Sequence, residues 1–197
     1  DLYKLVNQIL DSGEPLWNHP EIDLALISDL QLLTAKPVIY LFNLGENDLN
    51  NQAKKDQLKA LVSPSTALFV SAKLESELKD IDENDAHELL QSYGQNQSGL
   101  LQLIHATYDQ LGLQSYLTAG EKEVRAWTIP KNATAPEAAG VIHKDFERGF
   151  ISAEVVDYHD LMTAGSMANA KATGKVRTEG KEYHMQPNDV VLFRFNV

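Results

Sequence analysis

The sequence predicts an α/β chain that ends in a separate α+β domain. In its first part, short apolar runs alternate with helical patterns, which is typical of βαβ units that build a parallel sheet. In its last part, six strand-like stretches lie close together, with one helix between the second and the third. The length of 197 residues allows one large or two small domains, each able to bury a core.

Charge is unevenly distributed along the chain, whose formal net charge is −11. Residues 1–114 contain 7 Lys and Arg against 17 Asp and Glu, whereas residues 115–197 contain 10 against 11. Because phosphate neutralisation drives non-specific nucleic-acid binding, the acidic part should repel RNA and the C-terminal part is the better candidate for RNA contact. The absence of cysteine excludes a disulfide scaffold and thiol chemistry. No apolar run approaches the ~18 residues of a membrane span.

The first 35 residues have two stretches of helical periodicity. Apolar residues recur at helical spacing over residues 2–10 and again over residues 21–34, and Gly13 and Pro15 interrupt the pattern between them. We therefore expect two antiparallel helices. Neither could bury its apolar stripe alone, so each needs the other or a further segment as a partner.

Residues 36–113 alternate strands and helices. The apolar runs at 37–42 and 67–70 predict two buried parallel strands, and helical patterns lie at 49–62, 74–80, 82–92 and 98–112. A parallel sheet of two strands is incomplete, and the chain begins with Asp1 rather than Met. These two observations predict a fragment whose other strands lie outside it.

The residues from about 114 onwards read as a mixed sheet with one crossing helix. Strand patterns lie at 115–118, 123–129, 151–157, 175–177, 182–186 and 190–196. Helical patterns lie at 135–143 and around 166–173. The junction near residues 112–115 is short, so the two parts should not tumble independently.

Each of the two apolar strands of residues 36–113 is followed by a polar loop. The first loop is Asn43-Leu44-Gly45-Glu46 and the second is Ser71-Ala72-Lys73. Because ligands bind at the carboxyl ends of strands in open α/β sheets, the placement of these loops predicts a ligand site. The alternative is that Asn43 and Ser71 only cap the helices that follow them.

Several long motifs in the last part of the chain carry a family resemblance. They are TAGEKEVRAWTI at 118–129, APEAAGVIHKDFERGF at 135–150 and NDVVLFRFNV at 188–197. In this order they resemble the TGS domain of the YchF subgroup of Obg-like P-loop NTPases. The resemblance implies that residues 1–35 end a helical insertion, residues 36–113 are the C-terminal part of the nucleotide-binding domain, and residues 114–197 form a ubiquitin-like β-grasp TGS domain.

The resemblance also implies an activity for the intact protein, which would bind and hydrolyse ATP, and GTP less well, with Mg²⁺. The phosphate-binding motif G-x-x-x-x-G-K-[ST] does not occur in this sequence. We therefore expect no catalytic residue and no hydrolysis from this chain alone. The six histidines show no H-E-x-x-H or H-x-x-E-H spacing, so the sequence predicts no metal site.

By this resemblance the two polar loops surround the nucleotide base, with N-x-x-E in place of the N-K-x-D of GTPases. An Asp would accept two hydrogen bonds from guanine; Glu46 is longer by about 1.5 Å and cannot occupy the same place. The resemblance therefore implies that ATP is preferred, that Asn43 orients the base, and that the Ala72 amide meets its edge. Gly45 differs from the Ser of most relatives. The predicted base-binding residues are Asn43, Leu44, Glu46, Ser71, Ala72 and Lys73.

TGS domains imply docking on the ribosome and its RNA by a cytoplasmic protein. We expect a basic patch that contacts ribosomal RNA, formed by Lys144, Arg148, Lys171, Lys175, Arg177 and Lys181. Arg125 and Trp127 share one face of a strand and could stack on a base, although Trp127 could equally fill the core. Two alternatives remain: a non-enzymatic module that binds RNA or the ribosome, and an adaptor that binds a partner protein through a sheet edge.

Overall fold

The computed structural model describes residues 2–120 and 123–196 and has a mixed α/β architecture. The chain divides into two compact units, Asp1–Gln110 (unit 1) and Leu111–Val197 (unit 2). Unit 1 contains a parallel sheet and unit 2 contains a mixed sheet, which confirms the predicted pairing of an α/β part with an α+β part. None of the helices in the described parts of the chain has the length and apolar character of a membrane span.

Unit 1 consists of α-helices, short 3₁₀ segments and two short parallel strands. Its helices are α1 (Leu2–Asp11), α2 (Gln52–Val62), α3 (Ala72–Glu77), α4 (Glu83–Ser92) and α5 (Gly99–Gln110), and its strands are β1 (Ile39–Asn43) and β2 (Thr66–Val70). Short 3₁₀ segments lie at Leu16–Asn18, Leu24–Leu30, Leu33–Ala35, Glu46–Asp48 and Leu78–Asp80.

The prediction of a second α-helix over residues 21–34 is wrong. The structure instead has two 3₁₀ turns there, and Gln31 adopts a left-handed conformation between them with φ of 47°. A 3₁₀ helix has three residues per turn, so Leu24 and Ile27 share one face and pack into the small core below α1. Leu26 and Leu33, which a 3.6-residue period would bury, remain exposed.

Strands β1 and β2 lie parallel and in register over their whole length. Ile39 pairs with Thr66 and Asn43 pairs with Val70, so both strands end at the same edge of the sheet. The register continues one residue beyond β1, because the Leu44 amide donates to the Val70 carbonyl at 2.7 Å. The loops that follow the two strands therefore begin side by side.

Unit 2 is built on a five-stranded sheet with the order β4-β3-β7-β5-β6. Its elements are β3 (Leu113–Ala119), β4 (Val124–Pro130), α6 (Ala135–Ile142), α7 (Lys144–Arg148), β5 (Phe150–Asp157), α8 (Tyr158–Ala164), α9 (Met167–Ala172), β6 (Arg177–Glu179) and β7 (Asp189–Phe195). The last strand in chain order lies in the middle of the sheet, parallel to β3 and antiparallel to β5.

Helix α6 covers one face of this sheet. It begins with a capping box in which Glu137 accepts a hydrogen bond from the Thr134 amide at 2.7 Å. Its alanines, among them Ala138 and Ala139, are fully buried, which lets the helix backbone approach the strands closely. Tyr116 is fully buried beneath the helix and its hydroxyl donates to the Ala138 carbonyl at 2.9 Å.

The predicted strand at 182–186 is also wrong. In this segment only His184 forms an isolated bridge, with Thr134, and the flanking backbone groups bond to the loop before α6. The Tyr183 carbonyl accepts from the Ala135 amide and the Met185 amide donates to the Ala133 carbonyl. These bonds provide partners for backbone groups of the segment without pairing it to a neighbouring strand. The strand predicted at 175–177 lies two residues later, as β6.

Candidate functional site

The two polar loops predicted to form a ligand site lie together in unit 1. The first loop leaves β1 at Asn43 and enters a 3₁₀ turn at Glu46. The second loop leaves β2 and enters α3 at Ala72. They line a cleft of about 280 Å³. The lining residues are Asn43, Leu44, Gly45, Glu46, Ser71 and Lys73.

A side-chain bridge joins the two loops. The Asn43 Oδ1 atom accepts a hydrogen bond from the Ala72 amide at 3.0 Å. Asn43 therefore does not cap the helical turn that follows it in sequence; it ties its own loop to the start of α3. In this state the Ala72 amide is already engaged, so it can meet the edge of a base only if Asn43 releases it.

Ser71 is buried and acts as the N-cap of α3. Its hydroxyl oxygen accepts from the Leu74 amide at 3.5 Å, a long contact, and only 3% of the residue is exposed. The capping alternative thus describes the local geometry of Ser71, although the residue also lines the cleft. Ser71 can cap α3 and also line the cleft, because the cap fixes the position of the first residues of α3 beside the cleft.

Lys73 and Glu46 form an ion pair across the cleft. The Lys73 Nζ atom lies 2.9 Å from Glu46 Oε2 and 3.7 Å from an oxygen of Glu77, one helical turn further along α3. The hydrogen bond to Glu46, with the charges of both carboxylates, raises the pKa of Lys73 above its ordinary value. Lys73 is therefore a cation at neutral pH, and its side chain is 70% exposed.

The other oxygen of Glu46 has no such partner. Glu46 Oε1 is buried and accepts no hydrogen bond from the described residues, while the side chain as a whole is 18% exposed. An unsatisfied buried acceptor costs about 1–3 kcal/mol, more when it is charged. Glu46 therefore has one oxygen paired with Lys73 and one buried oxygen without a partner among the described residues.

Most of the cations predicted to form an RNA-binding patch are paired with carboxylates of unit 2. Lys171 lies 3.1 Å from Glu154 and Lys175 lies 3.1 Å from Asp160. The remaining pairs are Arg148 with Asp145 at 3.7 Å, and Arg177 with Glu179 at 3.6 Å and Asp189 at 3.8 Å. The side chains of Lys144 and Lys181 form no hydrogen bond or ion pair with any described residue. The positive charge of the patch is thus largely balanced locally.

Arg125 and Trp127 form a stacked pair on β4. The Arg125 guanidinium carbon lies 4.0 Å from the centre of the Trp127 ring. The Trp127 indole N–H donates to the Thr118 hydroxyl at 2.9 Å, and the ring packs partly buried against the core of unit 2. Trp127 therefore fills part of the core and has Arg125 stacked on its ring, while stacking of this pair on a base stays a prediction.

A further cleft, of about 350 Å³, lies in unit 2 and was not predicted from the sequence. Asp189 lies at its base, 2% exposed, and accepts hydrogen bonds from the Tyr183 hydroxyl at 2.9 Å and the Gln186 amide at 2.8 Å. Burial raises the pKa of Asp189 above its ordinary value. Because Asp189 is the first residue of the apolar strand β7, its burial could have been suspected, but its partners lie in a loop that was predicted as a strand.

Comparison with known proteins shows which proteins this chain is similar to. Residues 113–196 match the family model YchF-GTPase_C, described as a protein of unknown function (DUF933). The chain is 49% identical over 177 residues to the ribosome-binding ATPase YchF of Bacillus subtilis (strain 168), which covers 87% of this chain and 48% of that protein. It is 40% identical over 201 residues to Obg-like ATPase 1 of Caenorhabditis elegans, which covers 97% and 50% respectively.

A solved structure is similar to the whole chain. The YchF GTPase of Schizosaccharomyces pombe superposes with a TM-score of 0.80 at 36% identity, over 98% of this chain and 53% of that one. The chain spans about half the length of the relatives it matches. The names of these relatives specify an ATPase in some cases and a GTPase in another.

Proposed function

The chain belongs to the YchF family, and from that premise we propose that it supplies the base-recognition part of a nucleotide site together with a docking domain for the ribosome. Residues 36–113 would be the C-terminal part of a P-loop NTPase domain and residues 114–197 a β-grasp TGS domain. Hydrolysis of ATP with Mg²⁺ would be a property of the intact protein, since the phosphate-binding motif does not occur in this sequence.

The base preferred by this cleft would be adenine. Guanine presents two neighbouring donors, its N1–H and its exocyclic amine, and a carboxylate that recognises it accepts from both. Adenine presents one exocyclic amine and a lone pair at N1, which an opposed carboxylate would repel. Glu46 is one methylene longer than the Asp of GTPases, so its carboxylate cannot stand where the guanine clamp requires it. Asn43 and Leu44 would hold the ring in the cleft.

The observation that carries this proposal is the single cleft that both loops line, with the partly exposed side chain of Glu46 in its wall. The exocyclic amine of adenine would be a donor to the exposed part of this carboxylate. The rest of the lining, with Leu44 and the Gly45 backbone, suits a flat ring.

The test is the base preference of the chain when Glu46 is shortened. Amide signals of residues 43–46 and 71–73 would be followed by NMR during titration with AMP and with GMP. We expect AMP to bind more tightly to the unaltered chain and Glu46→Asp to shift the ratio of the two affinities about tenfold toward GMP, as expected for one regained charge-assisted hydrogen bond. Glu77→Asp, the same shortening outside the cleft, should leave the ratio unchanged.

Two results would contradict the proposal. If the chemical-shift changes on nucleotide addition fall only outside residues 43–46 and 71–73, the cleft does not bind the base. A preference for GMP in the unaltered chain would show that the length of Glu46 does not exclude guanine.

Docking on the ribosome would involve unit 2. Because most of its cations are paired, the contribution of RNA contact should come chiefly from Lys144 and Lys181. Co-sedimentation with purified ribosomes over a salt series would test this. We expect Lys144→Glu with Lys181→Glu to weaken pelleting and flatten its salt dependence more than Arg148→Glu with Lys175→Glu, the matched reversal of two paired cations.

The second candidate for docking is contact with a protein partner, and the local pairing of the basic residues favours it. Pelleting that resists salt and ignores both double reversals would support a protein contact and contradict docking through RNA. Absence of pelleting at every salt concentration would contradict docking by this chain altogether.

A further inference from the structure

Helix α3 follows the second polar loop and is too short to be stable by itself. It spans 6 residues, Ala72–Glu77, whereas an isolated helix shorter than about 12–15 residues is marginal in water. Side chains that reach other elements must therefore fix its position. Leu74 is 1% exposed and packs in one cluster with Leu49 and Leu90, which holds one face of the helix.

Glu75 holds a second face of α3, because consecutive residues of a helix do not face the same side. Its Oε1 atom accepts a hydrogen bond from the Gly99 amide at 2.5 Å, and its Oε2 atom accepts a longer one from the Leu100 amide at 3.4 Å. Both amides belong to the first turn of α5, where backbone N–H groups have no partner within their own helix. A carboxylate at this end of a helix also interacts favourably with the helix dipole.

Gly99 contacts the chain on both sides of the second polar loop. Its amide donates to Glu75, which follows the loop. Val70, the last residue of β2, precedes the loop, and a Cβ atom added at position 99 would overlap the Val70 side chain. Residues 70–75 therefore form a turn whose two ends meet at the start of α5.

We propose that Glu75 is a positioning residue of the base site, which closes the turn of residues 70–75 and so fixes the second polar loop beside the cleft. This inference rests on the proposed function of the cleft as a base site and goes beyond it. Glu75 is not among the described residues that line the cleft, so it acts through the loop and not on the ligand. The 3.0 Å hydrogen bond from the Ala72 amide to Asn43 requires the start of α3 to stay in this place.

A loosened turn would weaken binding without removing any atom that contacts the ligand. Apparent affinity falls in proportion to the fraction of molecules in the binding-competent state. If the loop keeps its position in only about one molecule in ten, the apparent affinity falls about tenfold.

The experiment measures the AMP affinity of the unaltered chain and of three variants by the NMR titration described above, together with the midpoint of urea unfolding of unit 1. Glu75→Gln removes the charge and one of the two acceptor oxygens. Ser98→Ala removes another hydrogen bond at the start of α5, from the Leu101 amide to the Ser98 hydroxyl at 3.2 Å, and leaves both bonds of Glu75 in place. Glu88→Gln makes the same change of charge at an exposed position of α4.

We expect Glu75→Gln to lower the AMP affinity about tenfold, because the loop is no longer held in the binding position. The amide signals of Gly99 and Leu100 should move upfield, since a hydrogen bond to a neutral oxygen is weaker than one to a carboxylate. The amide signals of residues 71–73 should move with them.

The two control variants separate positioning from stability and from charge. Ser98→Ala should lower the urea midpoint, as Glu75→Gln does, and leave the AMP affinity unchanged. Glu88→Gln should change neither quantity. An equal loss of AMP affinity in Ser98→Ala would mean that any weakening of α5 disturbs the site, and an equal loss in Glu88→Gln would mean that charge alone is responsible. Either result would overturn the role of Glu75.

The failures are distinguishable. If the unaltered chain binds neither AMP nor GMP at the two loops, the proposed function fails. If it binds AMP there and Glu75→Gln lowers only the urea midpoint, the base site stands and Glu75 contributes to stability alone, which overturns the positioning role. A loss of AMP affinity with unmoved Gly99 and Leu100 signals would also overturn it, because the hydrogen bonds to α5 would not be the cause.

Discussion

The two sheets of this chain differ in how much of their surface they bury. In unit 2 the central strands are largely covered, and Val155, Val156 and Val191 are at most 2% exposed. In unit 1 strand β1 pairs with β2 along its entire length, yet Tyr40 is 41% and Leu41 is 47% exposed. Regular backbone pairing is therefore present in both units, but only unit 2 combines it with a continuous apolar core.

The difference indicates that hydrogen-bonded pairing and burial are separate contributions to stability. Backbone hydrogen bonds largely exchange water partners for protein partners, so their net contribution is small. Apolar burial contributes roughly 25 cal/mol for each Å² removed from water. Substitutions in the strands of the two units should therefore have very different effects, even where the backbone pairing is equally regular.

The largest expected effect comes from the same substitution made once in each sheet. Tyr116→Ala removes a fully buried ring that meets Phe193 edge-on, with centroids 5.8 Å apart. It should lower the free energy of unfolding of unit 2 by about 3–5 kcal/mol. Tyr40→Ala, the matched change on β1, should cost less than about 1 kcal/mol in unit 1. Urea unfolding, followed through resolved amide signals of each unit, measures both.

Equal losses of unfolding free energy for Tyr116→Ala and Tyr40→Ala would contradict the comparison. They would mean that the exposed face of β1 contributes as much stability as the core of unit 2. Tyr116→Phe serves as a further control. It retains the ring and removes only the hydrogen bond to the Ala138 carbonyl, so its cost should be about 1–2 kcal/mol.

A smaller effect should appear in the pH dependence of stability, which should differ between the two units. Hydrogen bonds from Arg194 and Lys171 hold the pKa of Glu154, in unit 2, below its ordinary value of 4.5. This stabilisation is present above pH 4.5 and is lost as the pH falls through the folded pKa. Glu154→Gln should therefore lower the stability of unit 2 by about 1 kcal/mol at pH 7, with the difference vanishing in acid. Urea unfolding at a series of pH values checks this.

Unit 1 contains a group with the opposite dependence. The pKa of His19 is raised, chiefly by its hydrogen bond to Glu21 and further by Glu14. Its contribution is complete below pH 6.5 and is lost as the pH rises through the folded pKa. Hydrogen exchange at Ile22 and Ile27, corrected for intrinsic rates, should show easier opening above that pH, and His19→Gln should abolish the change. Parallel pH profiles in the two units would contradict this assignment.

The sequence was most informative where burial and periodicity agree. The apolar runs at 37–42 and 67–70 predicted strands that the structure places at Ile39–Asn43 and Thr66–Val70. Periodicity was misleading over residues 21–34, because a 3₁₀ turn needs only three-residue spacing and tertiary packing selected Ile27 over Leu26. The segment 182–186 alternates like a strand, but loop contacts satisfy its backbone.

For the candidate site, the sequence indicated which loops would meet but not how their side chains would pair. Two consecutive parallel strands place their following loops at one edge, and the structure has both loops around one cleft. The 2.9 Å contact between Lys73 and Glu46 joins residues 27 positions apart, which no local spacing rule indicates. The same holds for Lys171 and Glu154, whose pairing changes the interpretation of the predicted basic patch. The roles of all these residues remain predictions.

The central place of β7 in the sheet of unit 2 has a consequence for synthesis. This strand comes last in chain order, yet it separates the β3–β4 hairpin from the β5–β6 pair. While the chain emerges from the ribosome, the two halves of the sheet have no hydrogen-bonded contact until residues 189–195 have been added. Long-range pairing of this kind is slow to form, so unit 2 can complete its folding only once residues 189–195 are available, when all of unit 1 has already been synthesised.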